Sequence, residues 1–394
     1  MFNKHLYFDI GATPLSKKAA LAMQPYLYEH FGNPASAHQA GQLAHAALNQ
    51  ARQTIAQIIN ANHDSEIIFT SCATESDNLA IKGVALAHYL DQNKIIFKNH
   101  LLISAIEHPG VLESAKSLEA FGFTYEILTV DQYGQVKPEI LARKITEKTL
   151  MVSIMAANNQ FGTIQDLFSL GQVCREKNVI FHTDAAVYFG LHPLDVQRMN
   201  LDLVTLSSPK IYGPKGAAAL YKRQNLKLQP LFHGGGQEFN FRSGTHNLPA
   251  IVGFATAAQA AHQKSQQLLK KYQNLSKYFT YSLSQKLDHL IFNGHPQQRL
   301  VNNIHLSILG VEGESLVLGL NQFGICASSG SACSSHKLQA DPALKALGLS
   351  PEAVHGSLRF FWHEWTTKKD LDYLIEKLVI VVERLRKISA YKVV

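Results

Sequence analysis

The sequence predicts an α/β protein that is built around a mainly parallel β-sheet. Short apolar runs of strand length alternate with longer stretches in which apolar residues recur at helical spacing, which is the pattern of strand–helix–strand crossover units. The apolar runs are continuous rather than alternating, as expected for strands that are covered on both faces. The predicted strands are 66–70, 101–105, 125–129, 150–155, 179–182 and 203–206.

Helices are predicted between most of these strands and after the last of them. Gly and Pro recur in residues 1–35, which are expected to be irregular. A long helical segment, 249–287, is expected to lead into a smaller α+β unit that contains a strand at 303–308. The other predicted helices are 36–60, 111–121, 137–147, 167–177, 314–322 and 368–388.

The length of the chain predicts two domains. At 394 residues it exceeds the size at which a single hydrophobic core usually stops growing. We expect a large domain over 12–262 and a small domain formed by 1–11 together with 263–394.

Composition narrows the class of protein. Apolar residues make up 46% and charged residues 17% of the chain, as in globular proteins. The net charge of +7 is spread along the sequence, so we expect no nucleic-acid partner.

Neither a signal peptide nor a membrane span is expected, and a cytoplasmic location is the default. The four cysteines, at 72, 174, 326 and 333, have no metal-ligand spacing, so reduced thiols and no metal site are expected.

Polar residues follow five of the predicted strands where each strand ends. Because the carboxyl ends of parallel strands lie at one edge of a sheet, these side chains are expected to cluster there. Thr74 and Asp77 have the spacing of a capping box that starts a helix, and the N–H groups at that start could bind a phosphate. The residues that follow the other strands are His108, Asn158, Asp184, Ser207 and Lys210.

Lys210 gives this cluster a chemical interpretation. A lone lysine after a strand is more often an ordinary surface residue, and each of the other residues taken alone is more often a loop or capping residue. Together they provide what pyridoxal 5'-phosphate (PLP) requires: Lys210 to form an imine, Asp184 to pair with the ring nitrogen, His108 to stack on the ring and Asn158 to donate to the ring hydroxyl. The residues predicted to hold the phosphate are Ala73, Thr74 and Ser207.

Cys333 is the candidate reactive thiol. Small residues surround it from 328 to 335, which indicates a flexible and exposed loop from which a thiol could reach both a substrate and an acceptor. Cys174 lies in a predicted helix and is interpreted as a core residue, and Cys326 is given the same interpretation.

Several segments resemble the cysteine desulfurases. They are 70–76, 181–186, 210–216, 242–245 and 328–335, and the resemblance runs in order from about residue 7 to residue 367. It implies a PLP enzyme of fold type I in the class V aminotransferase group, with a mainly parallel seven-stranded sheet in its large domain. It also implies a homodimer that takes sulfur from L-cysteine and leaves alanine.

The resemblance also implies individual roles. By this match, Lys210 holds PLP and Cys333 attacks the substrate sulfur to become a persulfide. Arg359 binds the substrate carboxylate, to which Asn158 also contributes, and Thr245 reaches the phosphate of the other subunit. The loop around Cys333 resembles that of the branch that serves iron–sulfur cluster assembly, so a protein sulfur acceptor is expected.

The chain departs from the family pattern at several positions near these residues. Pro209 stands where the family usually has a histidine, Val187 replaces a glutamine and Cys72 replaces a glycine. Residues 10–11 and 362–364 also differ from the usual pattern. Three hypotheses remain open: a working desulfurase with a retuned cofactor site, a divergent PLP-binding paralogue with weak or different activity, and a cofactor-free scaffold in sulfur transfer.

Overall fold

The computed structural model describes residues 6–11, 13–91, 96–330 and 341–389 of the chain. The strands in this part of the chain are β1 (Leu6–Tyr7), β2 (Ile67–Thr70), β3 (His100–Ser104), β4 (Thr124–Leu128), β5 (Thr149–Ser153), β6 (Ile180–Asp184), β7 (Leu203–Ser207), β8 (Ala218–Lys222), β9 (Leu290–Phe292), β10 (Asn303–Ile308), β11 (Ile325–Cys326), β12 (Ser328–Ser329) and β13 (Ser357–Phe361).

Helices connect most of these strands, and short 3₁₀ turns occur at 64–66, 118–121, 209–211 and 238–240. The α-helices are α1 (Lys17–Met23), α2 (Pro25–Tyr28), α3 (Gln39–Ile58), α4 (Ala73–Leu90), α5 (Pro109–Ser117), α6 (Pro138–Lys144), α7 (Leu167–Glu176), α8 (Leu248–Ser284), α9 (Gly313–Asn321), α10 (Pro342–Ala346), α11 (Pro351–His355) and α12 (Lys368–Ile388). Within the described ranges, no helix has the length and apolar content that a membrane span needs.

The larger sheet has seven strands in the order β2-β8-β7-β6-β5-β3-β4. Only β8 runs antiparallel to its neighbours β2 and β7, and the remaining pairs are parallel. Strands β5, β7 and β8 are buried along their whole length because helices cover both faces of the sheet. The predicted mainly parallel sheet is therefore confirmed, with β8 as a strand that was not predicted.

The second part of the fold is a smaller α+β unit. Strands β12, β13, β10 and β9 form an antiparallel sheet in that order. Its apolar core includes Phe279 of α8, Leu316 of α9 and Leu378 of α12. The predicted combination of a large parallel sheet with a smaller α+β unit is confirmed, whereas the domain boundaries remain a prediction.

The N-terminal stretch was expected to be irregular, and that expectation is wrong. Strand β1 pairs with β11, with Leu6 opposite Ile325, a pairing of distant segments that no local pattern reveals. Helix α1 begins where the Ser16 side chain accepts a hydrogen bond from the backbone of Ala19 at 3.2 Å. Between β1 and α1, Ile10 and Thr13 make hydrogen bonds with Lys210 and Pro209 in the turn that follows β7.

Candidate active site

A cavity of about 240 Å³ lies at the carboxyl edge of the large sheet. The residues that follow β2, β3, β5, β6 and β7 all contribute to its wall, as expected for a parallel sheet. The structure thus brings together most of the residues that were predicted to cluster. The lining consists of Cys72, Ala73, Thr74, His108, Met155, Ala157, Asn159, Asp184, Ala186, Val187, Ser207 and Lys210.

Lys210 lies in the 3₁₀ turn that follows β7. Its Nζ atom donates hydrogen bonds to the backbone carbonyls of Ile10 at 2.9 Å and Gly11 at 3.2 Å. Burial lowers the pKa of Lys210, and the nearby positive charge of Arg359 lowers it further. The amine therefore loses its proton more readily than an exposed lysine, which is the property that imine formation requires.

Asp184 is the last residue of β6 and is only 5% exposed. One of its carboxylate oxygens accepts a hydrogen bond from the backbone of Ala186 at 2.8 Å. Burial raises the pKa of Asp184, while this hydrogen bond and the charges of His108 and Lys210 oppose the increase. A cationic group bound in the cavity would favour the ionised carboxylate, so Asp184 suits a protonated ring nitrogen.

Two carboxyl groups that sequence reasoning did not assign to the site lie close to Asp184. Asp77 is fully buried, and its carboxylate lies 3.8 Å from Nε2 of His182. Burial, followed by the charge of Asp184, raises the pKa of Asp77 well above its usual range. Burial also raises the pKa of Glu107 to about 8. Burial raises the pKa of all three carboxyl groups, and Asp184 is the one of the three that lines the cavity, where a bound cation could stabilise its ionised form.

The start of α4 corrects the predicted capping box. Helix α4 begins at Ala73 with Cys72 in the N-cap position, so Thr74 is inside the first turn and the buried Asp77 caps nothing. Glu75 instead turns back and accepts a hydrogen bond from the backbone of Ser71 at 2.7 Å. The residue types alone are compatible with an N-cap at either Thr74 or Cys72. The structure has Cys72 at the N-cap and Asp77 buried.

The first turn of α4 provides an anion site at the cavity wall. Cys72 makes no capping hydrogen bond with its side chain, and the first N–H groups of a helix have no partner within the helix. Ala73 and Thr74 lie at this end and line the cavity. A phosphate would bind there favourably because the helix dipole adds to the hydrogen bonds.

The contacts predicted for Asn158 are contradicted. Its side chain is fully buried, donates to the carbonyl of Ile106 at 3.0 Å, and accepts from the backbone of Gln160 at 2.8 Å and of Phe161 at 3.0 Å. Asn158 therefore holds a turn in place and does not line the cavity. The neighbouring Asn159 does line it and replaces Asn158 as the candidate.

Arg359 lies on β13 and is 7% exposed. One guanidinium nitrogen donates to the carbonyl of Asn159 at 3.1 Å and to the side chain of Gln160 at 2.9 Å. The other donates to the carboxylate of Asp9 at 3.2 Å. These contacts hold a buried positive charge beside Asn159, which lines the cavity, and a guanidinium is a suitable partner for a substrate carboxylate.

Among the described residues, three that were predicted for the site do not line the cavity, namely Asn158, Arg359 and Thr245. Thr245 is exposed in the loop before α8 and does not line the cavity of its own chain. Cys333 lies outside the described residues. The described chain resumes at Asp341, whose carboxylate accepts a hydrogen bond from Gln160 at 2.9 Å. Gln160 thereby joins Arg359 to the start of α10.

The departures from the expected pattern are concentrated here. Cys72 and Val187 both line the cavity. Pro209 opens the turn that carries Lys210, and its carbonyl accepts a hydrogen bond from the hydroxyl of Thr13. Proline has no N–H to donate, and valine has no polar group, so both positions lack a donor that a bound ligand could use.

Comparison with known families agrees with this geometry. The aminotransferase class-V family model matches residues 6–374, and the chain belongs to that family. It is 42% identical over 390 residues to cysteine desulfurase IscS from Dictyoglomus turgidum, covering 99% of this chain and 97% of the relative. Within the class-V aminotransferases, the chain belongs to the cysteine desulfurase family, whose members are PLP enzymes.

Solved structures show the same fold. A NifS-like protein superposes with a TM-score of 0.89 at 32% identity, covering 96% of this chain and all (100%) of that one. The structure of SspA in complex with cysteine superposes with a TM-score of 0.77, also at 32% identity, covering 92% of this chain and 100% of that one. The predicted fold type is therefore confirmed.

The cavity fits PLP. Its wall presents the amine of Lys210, the buried carboxyl of Asp184 and the uncapped start of α4, which match the aldehyde, ring nitrogen and phosphate of that cofactor. A cavity with an apolar floor and a few convergent polar groups is also the usual form of a cofactor site.

Proposed function

We propose that this protein converts L-cysteine into L-alanine with PLP as cofactor and passes the sulfur, as a persulfide on Cys333, to an acceptor protein. The observation that carries the proposal is that Lys210 and Asp184 line one cavity while Arg359 donates a hydrogen bond to the carbonyl of Asn159, which lines the same cavity. The first two residues suit the cofactor, and the third suits the carboxylate of an amino-acid substrate. Membership of the cysteine desulfurase family supports L-cysteine as that amino acid.

The residues that would hold PLP are Lys210 through its amine, Asp184 at the ring nitrogen and His108 against the ring face. The phosphate would lie at the start of α4, against Ala73, Thr74 and Ser207. When bound, PLP supplies an electron sink for the bonds of the substrate α-carbon.

Lys210 and Arg359 have separate tasks in this scheme. Arg359 binds the α-carboxylate and so orients the substrate in the cavity. Lys210, whose pKa is lowered by burial, would take a proton from the substrate and return it. Asn159 adds an amide at the same wall of the cavity.

Cys333 is the proposed sulfur carrier. Its thiolate attacks the sulfur of the substrate, so that an S–S bond forms while the bond between that sulfur and the β-carbon breaks. The electron pair of the broken bond stays with the carbon, which takes up a proton and becomes the methyl group of alanine. The role of Cys333 rests on the sequence around it, because Cys333 itself lies outside the described residues.

The proposal includes a homodimer and a protein acceptor for sulfur. Large apolar side chains are exposed on α1, on α2 and just after α2, with Leu21 67%, Leu27 62% and Phe31 79% exposed, and a second copy would cover them. Thr245 of that copy would complete the phosphate site.

The acceptor is proposed to be an iron–sulfur scaffold or a thio-modification protein. The cytoplasm is the proposed location, since Cys72, Cys174 and Cys326 are free thiols.

A divergent PLP-binding paralogue is the second candidate. It is favoured by Val187, which puts an apolar side chain on the cavity wall, and by Pro209, which precedes Lys210 without an N–H. Such a protein would bind PLP but would release little alanine from L-cysteine.

The deciding experiment measures alanine and sulfide when the PLP-loaded protein is mixed with L-cysteine and a thiol reductant. We expect the wild type and the control Cys326→Ala each to release alanine and sulfide in equal amounts. We expect Cys333→Ala to release neither product. A Cys333→Ala variant as active as the wild type would contradict the role of the persulfide. PLP absorbance without any product from the wild type would favour the paralogue, and a lack of PLP absorbance would favour a cofactor-free scaffold.

A further inference from the structure

His363 connects the two parts of the fold next to the active site. It follows Arg359 by four residues, just after the end of β13, and is only 1% exposed. Its Nδ1 atom lies 3.0 Å from the hydroxyl oxygen of Tyr212. We call this hydrogen bond the Tyr212–His363 bridge.

Tyr212 follows Lys210 by two residues and ends the turn that carries it. Its backbone is left-handed, with a φ of 62°, and its carbonyl accepts a hydrogen bond from the backbone of Ser16 at 2.9 Å. A non-glycine residue in this conformation is held there by its surroundings. The hydroxyl of Tyr212 also interacts with that of Tyr272 on α8. The position of Tyr212 thus depends on contacts that its side chain makes with the small unit.

The protonation of the bridge follows from burial. Burial lowers the pKa of His363 to about 4, so the ring is neutral at pH 7. Burial raises the pKa of Tyr212 above its usual range, so the phenol keeps its proton. A hydrogen bond between two neutral groups therefore joins the hydroxyl of Tyr212 to Nδ1 of His363, and the tautomer of the ring sets which group donates. The imidazole also stacks on Trp365, with 4.7 Å between ring centroids and 6° between planes, which fixes the plane of the ring.

We propose that His363 is a positioning residue which, through Tyr212, fixes Arg359 relative to Lys210. This inference rests on the proposed function, since it concerns the binding of an amino acid between those two residues. The α-carboxylate and the α-amine of the substrate are attached to one carbon atom, so the distance between the groups that receive them is set by the substrate. Arg359 lies on β13 of the smaller sheet and Lys210 in the turn that follows β7 of the larger sheet, and a small displacement between them would misplace the substrate.

The variants separate the hydrogen bond from packing. His363→Phe keeps an aromatic ring that can stack on Trp365 but removes the ring nitrogen of the hydrogen bond, and Tyr212→Phe removes the hydroxyl. His363→Asn restores a hydrogen-bonding group near the position of Nδ1, since an amide can both donate and accept. The matched control is His192→Phe, because His192 also stacks on an aromatic ring, that of Tyr188, with 5.0 Å between centroids.

The probe is L-alanine, the product, whose binding to the PLP-loaded protein is followed by the change in PLP absorbance. We expect His363→Phe and Tyr212→Phe each to weaken L-alanine binding about fivefold to tenfold, as expected for one lost hydrogen bond. The double variant should be no weaker than either single variant. KM for L-cysteine should rise by the same factor with a smaller change in kcat, and His363→Asn should recover most of the affinity. PLP affinity and the His192→Phe control should match the wild type.

Three outcomes would overturn the inference. They are unchanged L-alanine affinity in His363→Phe, additive losses in the double variant, and an equal loss of PLP and L-alanine affinity, which would indicate general damage. Failure of the proposed function gives a different result, namely no alanine formed from L-cysteine by the wild type. The binding of L-alanine would still test the bridge in that case.

Discussion

The guanidinium of Arg359 lies 3.2 Å from the carboxylate of Asp9. Asp9 also accepts hydrogen bonds from the backbone of Gly11 at 2.9 Å and from the hydroxyl of Ser328 at 2.7 Å. Burial raises the pKa of Asp9, but these hydrogen bonds and the charge of Arg359 outweigh it, so the net shift is downward and the carboxylate stays ionised. The positive charge proposed to bind substrate is therefore partly neutralised before any substrate arrives.

Asp9→Asn should strengthen anion binding and make Lys210 more reactive. The negative charge of Asp9 raises the pKa of Lys210, so its removal should lower that pKa further. We expect the pH midpoint of PLP uptake by the cofactor-free protein to move to lower pH, and L-alanine to bind more tightly. Asp131→Asn, which breaks an ion pair with Lys137 away from the cavity, is the control. A midpoint that moves to higher pH would contradict this electrostatic account.

Asn158 and Asn159 should have separable effects. Asn158→Ala removes three buried hydrogen bonds, so we expect it to lower the free energy of unfolding by about 3 kcal/mol. Asn159→Ala should change stability by less than about 1 kcal/mol but weaken the binding of PLP or L-alanine. Denaturant unfolding and absorbance titration measure the two effects. If Asn158→Ala instead weakened ligand binding and Asn159→Ala lowered the free energy of unfolding, Asn158 would again be the candidate site residue.

Most residues of the candidate site could be predicted from the sequence, but the choice between Asn158 and Asn159 could not. The strand ends located Thr74, His108, Asp184, Ser207 and Lys210 because apolar runs mark buried parallel strands well. Which of two adjacent asparagines faces a cavity depends on the turn that follows β5, and residue type carries no signal for that. Asp77 was visible in the sequence, but only its burial reveals that it lies beside Asp184.

In the fold too, some elements are predicted by local sequence signals and others depend on distant parts of the chain. The predicted helix 368–388 has the same bounds as α12, since its apolar stripe and the capping box of Thr367 and Asp370 are local signals. Strand β8 was missed because Ala218 and Ala219 have weak strand propensity and only the neighbours β2 and β7 make the segment a strand. The crossing of the N-terminal segment to Lys210 depends on contacts about 200 residues apart in sequence and could not be predicted locally.

Val187→Gln and Pro209→His should each tighten PLP binding. Each variant restores a donor beside the cavity, and one added hydrogen bond is worth about 1 kcal/mol, or about fivefold in affinity. Val187→Leu is the control, since it changes size without adding a donor. Equal PLP affinity in Val187→Gln and Val187→Leu would show that the pocket has compensated for the missing donor by other contacts.

Acid should destabilise the protein partly through His192. Burial lowers the pKa of His192 to about 4, below the value of about 6.5 in an unfolded chain. Between these values the unfolded chain takes up a proton that the folded protein does not, so stability falls as pH falls, by up to about 1.4 kcal/mol per pH unit for one histidine. We expect His192→Phe to reduce this slope between pH 6.5 and pH 4 in urea unfolding. An unchanged slope would mean that His192 is protonated in the folded state.

Lys210 is the residue proposed to carry PLP, and covalent labelling tests that role directly. Borohydride reduction of the PLP-loaded protein, followed by peptide mass spectrometry, should place a single covalent label on Lys210. The same treatment should leave Lys210→Ala unlabelled and should label Lys215→Ala like the wild type. A label on another lysine, or a covalent label that persists in Lys210→Ala, would contradict the central claim.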